Sequence, residues 1–113
     1  MKKFILSLML FALPSVAVAY TDKGDAVVRI LNKDAGKVVE RKVTVGQTMK
    51  FEKLNITVRA CKQSDPFEAK DYFAFIEIFD KEQQVFGGWM TKNEPGQNPL
   101  QHPDYDVWLV RCE

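Results

Sequence analysis

LNITVRAC, residues 54–61, decides the fold. Leu54, Ile56, Val58 and Ala60 fall on one parity, and Asn55, Thr57, Arg59 and Cys61 on the other. An extended chain sends successive side chains to opposite faces, so this two-residue period marks a strand with one buried and one wet face, and a helical period cannot reproduce it. Upstream the same alternation runs through TMKFEK at 48–53, by way of Met49 and Phe51. In VVERKVTV at 38–45, Val39, Val43 and Val45 stand against Glu40, Lys42 and Thr44, and AVVRIL at 26–31 is a β-branched run. NKDAGK at 32–37 and Gly46-Gln47 supply the turn residues between them.

Downstream, KQSDPFEAKD at 62–71 is a polar loop and the one place where a short helical turn fits. YFAFIEIF at 72–79 is apolar on both parities, which predicts a central strand covered on both faces. Glu77 shares the parity of Phe73, Phe75 and Phe79 and is expected to point outward. DKEQ at 80–83 reads as a hairpin turn and QVFGGWM at 84–90 as a strand, whose Gly87-Gly88 pair marks a bulge or a close backbone approach. TKNEPGQNPLQHP at 91–103 is a long loop, and YDVWLVRC at 105–112 is again apolar on both parities. Six or seven short strands at near-regular spacing predict an all-β chain, a small antiparallel β-sandwich or barrel-like domain.

Lys2 and Lys3, the apolar run Phe4 to Leu13, Pro14 and Ala17-Val18-Ala19 make the n-region, h-region and cleavage site of a secretory signal peptide. The alternative, an uncleaved membrane anchor, has a run shorter than the roughly 20 residues a spanning helix needs. A cut after Ala19 leaves a short lead, 20–25, and a single β-domain, 26–113, in the periplasm or the medium, with no transmembrane segment remaining. Of 16 basic residues the leader removes two lysines and no acid, leaving 14 against 15 acidic, a formal charge of −1. Nucleic acid and anionic membrane surfaces call for a basic excess, which this chain lacks. Two cysteines in an exported small domain read as one disulfide, Cys61–Cys112.

NKDAGKV at 32–38, VTVGQTMKFEKLNITVRAC at 43–61, VFGGWM at 85–90 and HPDYDVWLVRC at 102–112 together resemble the domain of unknown function 2155 family of exported bacterial proteins. The likeness covers about Ala26 to Cys112. It implies export and cysteines at the places of Cys61 and Cys112, and it implies no particular activity. Many relatives carry a Pro-rich segment after the first cysteine, where this chain has only Pro66, so that loop is expected to vary.

Parity leaves two readings of the disulfide open. If Cys61 and Cys112 join regular neighbouring strands, Tyr105, Val107 and Leu109 share the core with Leu54, Ile56 and Val58, while Trp108 and Val110 face the other way under the 87–103 segment with its Trp89 and Leu100. If a bulge near Ala60 resets the phase, Trp108 is an ordinary core residue.

Chemistry is sparse. His102, the one histidine, with Asp104 and Asp106 suggests a small hydrolase or metal-dependent enzyme. A catalytic zinc usually has three protein ligands, however, and no second histidine is present, so no metal site is expected. The mature chain has one serine, Ser64, with no Gly-x-Ser-x-Gly around it. No Cys-x-x-Cys or phosphate loop calls for a cofactor. Trp89, Asn93, His102, Tyr105 and Trp108 form a candidate binding surface for a sugar ring or an extended peptide, against the alternative of a minor core under the long loop. The reading favoured by the sequence is a non-enzymatic exported binding or accessory module whose partner is another envelope protein or cell-wall material.

Overall fold

The alternating segments form eight antiparallel strands in a computed structural model that describes residues 20–65 and 69–113. The expected signal peptide lies outside the described residues, as do residues 66–68 in the middle of the polar loop. The strands are β1 (Thr21–Asp22), β2 (Asp25–Asn32), β3 (Lys37–Thr44), β4 (Thr48–Phe51), β5 (Leu54–Gln63), β6 (Tyr72–Asp80), β7 (Gln83–Thr91) and β8 (Tyr105–Cys112). Among the described residues no helix is long and apolar enough to cross a membrane. All seven segments expected from the sequence are strands. The eighth is the two-residue β1, which sits in the polar lead and pairs Thr21 with Gln63 and Asp22 with Lys62.

Two sheets result. The first has five strands, with β5, β6 and β7 side by side and both β4 and β1 along the other edge of β5. The second runs β3, β2, β8. Their facing sides bury Leu54, Ile56, Val58, Ala74, Ile76 and Ile78 from the first sheet against Ala26, Val28, Ile30, Val107 and Leu109 from the second. Each large aliphatic side chain taken out of water here contributes roughly 1.5–3 kcal/mol.

The turn between β4 and β5 was not legible. Phe51 pairs with Leu54, so Glu52 and Lys53 alone reverse the chain, with Glu52 at φ +54°. A glutamate in the left-handed region carries no turn signal in the sequence, because glycine, asparagine and aspartate are the residues that favour it.

The cysteines correct the parity argument. β5 and β8 are not neighbours; they belong to opposite sheets, and Cys61–Cys112 crosses the core between them with Cα atoms 5.7 Å apart. Register slips between Val58 and Ala60, which makes Arg59 an extra residue and turns Cys61 inward after Leu54, Ile56 and Val58. It slips again in β8, where Leu109 pairs with Val28 and Arg111 with Val27, so Val110 is extra and Cys112 turns inward after Leu109. The bulge near Ala60 therefore exists, yet Trp108 does not join the core. A second bulge in the partner strand cancels the first.

β6 is central, between β5 and β7, but it is not covered on both faces. Ala74, Ile76 and Ile78 are fully buried, whereas Phe73, Phe75, Glu77 and Phe79 on the outer face are half-buried. Glu77 points outward as expected and pairs with Arg59 at 3.0 Å. The Gly87-Gly88 pair is a close approach: Gly88, at φ +156°, lies so near the Asn98 amide that a Cβ there would come within 2.9 Å of it. The bulge in β7 sits at Val85 instead.

Candidate functional site

The five residues grouped from the sequence separate onto four parts of the molecule. His102 and Tyr105 are buried beside the start of β8, with ring centroids 5.3 Å apart. Trp108 is half-buried on the outer face of the second sheet, where Arg29 is its cross-strand partner. Trp89 is on the outer face of the first sheet and 43% exposed. Asn93 stands at the start of the loop after β7, its side chain donating to the Lys70 carbonyl at 3.0 Å and its main chain to Asp71. Trp89 thus does not cover Trp108. The segment over Trp108 is the proline-bearing part of the loop, Pro95, Gly96 and Pro99, with Leu100 buried in the main core.

Around His102 the structure assembles a polar cluster that sequence reasoning only half found. Nε2 of His102 lies 2.8 Å from Asp80 Oδ2, and Nδ1 accepts the Asp104 main-chain N–H at 2.9 Å. Lys53 Nζ reaches Asp104 at 3.2 Å, and Lys33 Nζ donates to the His102 carbonyl at 2.9 Å and pairs with Asp106 at 3.5 Å. The Tyr105 hydroxyl donates to Glu52 Oε1 at 2.7 Å, and the Asn32 amide donates to the same oxygen at 3.1 Å. The strained Glu52 therefore joins the β4–β5 turn to both β8 and β2.

These contacts set the electrostatics. The hydrogen bond from His102, helped by the nearby Lys53 charge, holds the Asp80 carboxyl below the usual carboxylate range. Donation to Glu52, together with burial, pushes the Tyr105 phenol up to about 12. Both ring nitrogens of His102 are engaged, so neither is free to take a proton from a substrate, and Asp104 and Asp106 are each paired with a lysine. Among the described residues no three His, Cys, Asp or Glu side chains are grouped to hold a metal. Asp80, Glu52 and Lys53 escaped notice because all three sit in or beside hairpin turns, where charged residues are ordinary. Their meeting depends on how the two sheets stack.

The second assembly is apolar. On the outer face of the first sheet, Tyr20 packs edge-on against Phe73 at 5.3 Å and Phe75 edge-on against Trp89 at 5.4 Å. Tyr20, Lys62, Phe73 and Trp89 line an open groove of about 300 Å³ whose walls are almost entirely apolar. Lys62 is held at its rim by Asp22 of β1. Part of this was recoverable: the DKEQ turn implies the β6–β7 hairpin, and that hairpin pairs Phe75 with Trp89. Tyr20 and Lys62 were not, since they depend on the two-residue β1.

A family described as "Uncharacterized protein conserved in bacteria (DUF2155)" matches residues 26–112. No curated protein and no solved structure matches the chain.

Proposed function

The chain belongs to the DUF2155 family of uncharacterized bacterial proteins, and from that premise we propose that it is an exported, non-enzymatic binding module of the bacterial cell envelope. The observation that carries this reading is the groove of Tyr20, Lys62, Phe73 and Trp89. Large apolar side chains left half-exposed in one contiguous place on a small domain mark a contact surface, because burying them elsewhere would stabilise the monomer more. Aromatic walls give much contact area for little conformational entropy, which suits another envelope protein or cell-wall material as partner. Export is supported by the signal-like leader and by the disulfide, a bond that persists in oxidising compartments.

The test is a photo-crosslinking residue at Trp89 of the full chain expressed in its bacterium, with Val38, 53% exposed on the other sheet, as the control position. The expected outcome is a discrete adduct with an envelope component from position 89 and none from position 38. Equal or absent labelling at both positions would remove the groove as the binding surface, and free thiols at Cys61 and Cys112 in the cell would remove export.

A further inference from the structure

The outer edge of β8 is buried without being paired. Residues facing each other across an antiparallel pair alternate between exchanging main-chain hydrogen bonds and exchanging none, so alternate residues of a strand serve opposite neighbours. Asp25 exchanges both bonds with Glu113, and the Lys33 N–H donates to the Asp104 carbonyl, so the odd-numbered residues of β2 bond toward β8. Within the strands these include Arg29 and Leu31, opposite Trp108 and Asp106. Val107 and Leu109 therefore aim their N–H and C=O groups at the other edge of β8, where no strand pairs with it. Among the described residues no hydrogen bond from another segment meets these groups. Yet Val107 is only 4% exposed and Leu109 only 2%. Buried main-chain groups are nearly always paired, so this edge lacks the partners its setting calls for.

What lies over the edge is the 94–100 part of the connection between β7 and β8. Its Pro95 and Pro99 have no N–H to give. The Gln97 N–H closes a turn on the Glu94 carbonyl and the Asn98 amide donates to the Trp89 carbonyl, so the segment bonds to itself and to β7. On either side the chain is fixed, at Asn93 by Lys70 and Asp71 and at His102 by Asp80. Two clefts remain along β8, about 290 Å³ beside Val107 and about 380 Å³ beside Leu109, and Pro95 and Trp108 line both. The second sheet, with three strands against five, ends at β8, which lies chiefly over β6. Beyond that end the core is completed by Leu100 of the cover, together with Phe86 and Met90 of β7.

We propose that the free edge of β8 accepts an extended acidic segment of another polypeptide, which displaces residues 94–100 and becomes a fourth strand of the second sheet. Its main chain supplies the donors and acceptors that Val107 and Leu109 lack, the usual basis of strand addition to an open edge. Side chains opposite Val107 and Leu109 turn inward, and an aliphatic one takes the place of Leu100. The side chain opposite Trp108 turns outward, into the cleft that Arg29 and Lys92 line. Lys92 makes no ion pair among the described residues, and Arg29 pairs with Glu40 alone, so an acid at this position complements the cleft. Asp106, already held by Lys33, calls for a neutral side chain opposite it. The Trp89 groove lies on the other sheet, so this site and the binding role of that groove stand or fall separately.

The probe is the acetylated and amidated peptide EVELTVT, which antiparallel to β8 sets Leu opposite Val107, Glu opposite Trp108 and Thr opposite Asp106. Amide hydrogen exchange followed by NMR reads the full chain residue by residue. In the free protein the Val107 and Leu109 amides are expected to exchange at least about tenfold faster than those of Asp106 and Trp108, whose bonds go to β2. Peptide at about 1 mM is expected to slow both by about tenfold. Asn98→Ala, which frees the cover from β7 at an exposed position, is expected to tighten peptide binding by about threefold or more. The same peptide N-methylated on its Val and Leu nitrogens is expected to have no effect, and KVKLTVT to bind at least about threefold more weakly. Val107 and Leu109 amides as slow as that of Trp108 in the free protein, no slowing by EVELTVT, or equal slowing by the N-methylated peptide would overturn strand addition at this edge. Unchanged affinity in Asn98→Ala would overturn displacement of the cover, and equal binding of KVKLTVT would overturn the acidic preference.

Discussion

The two ends of β8 are both tied to the opposite sheet, and they are tied by different chemistry. At one end Cys112 reaches Cys61 through a covalent bond that neither acid nor alkali breaks in the ordinary range. At the other, roughly 23 Å away along an eight-residue strand, Tyr105 and the adjacent His102 are held by Glu52 and Asp80 through hydrogen bonds whose groups titrate. Each end also solves a different problem. The disulfide needs a bulge in each strand to aim two out-of-phase side chains at one another, whereas the polar end uses charged hairpin turns that project from the first sheet onto the start of β8. One edge strand is thus closed by a redox-sensitive tie at one end and a pH-sensitive tie at the other.

Removing the covalent tie should have the largest effect. With a sequence separation of 51 between the cysteines, the double substitution Cys61→Ser and Cys112→Ser is expected to cost about 4 kcal/mol of unfolding free energy in the chain-entropy account. Urea denaturation measures it, and a loss below about 1 kcal/mol would show that β8 is held chiefly by packing and by its polar end.

Tyr105→Phe probes the other end and is expected to cost about 1 kcal/mol, the usual net worth of one hydrogen bond, with Glu52 still bonded to Asn32. The sign of its pH dependence follows from the raised phenol. The folded state keeps its proton up to about 12, against an ordinary value of 10, so the contribution is full below pH 10 and fades as pH climbs toward 12. Tyrosinate absorbance should accordingly show one of the three tyrosines titrating late, and that late step should vanish in Tyr105→Phe. Asp80 has the opposite sign: its depressed carboxyl adds stability above the ordinary carboxylate range, and this is lost as pH falls through its folded-state value. A disulfide-end variant should leave both steps in place.

The smallest effect is expected at Trp89→Ala, on the outer face away from both ties. Its edge-on contact with Phe75, at a position 43% exposed, is worth about 0.5 kcal/mol, the low end for such pairs. A thermal-unfolding comparison checks this, and a larger loss would make the groove part of the stabilising core.

Several features were open to reading in the linear chain because they are short-range. The parity of Leu54, Ile56 and Val58 follows from the pleat of a single strand, and DKEQ makes a hairpin by its own turn chemistry. With only two cysteines their pairing needed no geometry. The candidate site was far less legible. His102 was visible as a lone histidine, but its partner Asp80 lies 22 residues away in a turn, and Tyr105 meets Glu52 across 53 residues. Grouping Trp89 with Trp108 failed because strand parity gives a face relative to one sheet and says nothing about which of two sheets the strand belongs to.

The sequence by itself determined an all-β chain, the buried face of most strands and a single disulfide, because side-chain alternation and turn preference act over a few residues. The tertiary structure alone decided the division into two sheets, the paired bulges at Arg59 and Val110, and the aromatic face left open on β6. A bulge adds one residue without changing composition, and a sheet's outer face is covered or bare according to elements distant in the chain. Neither leaves a periodic trace in the sequence.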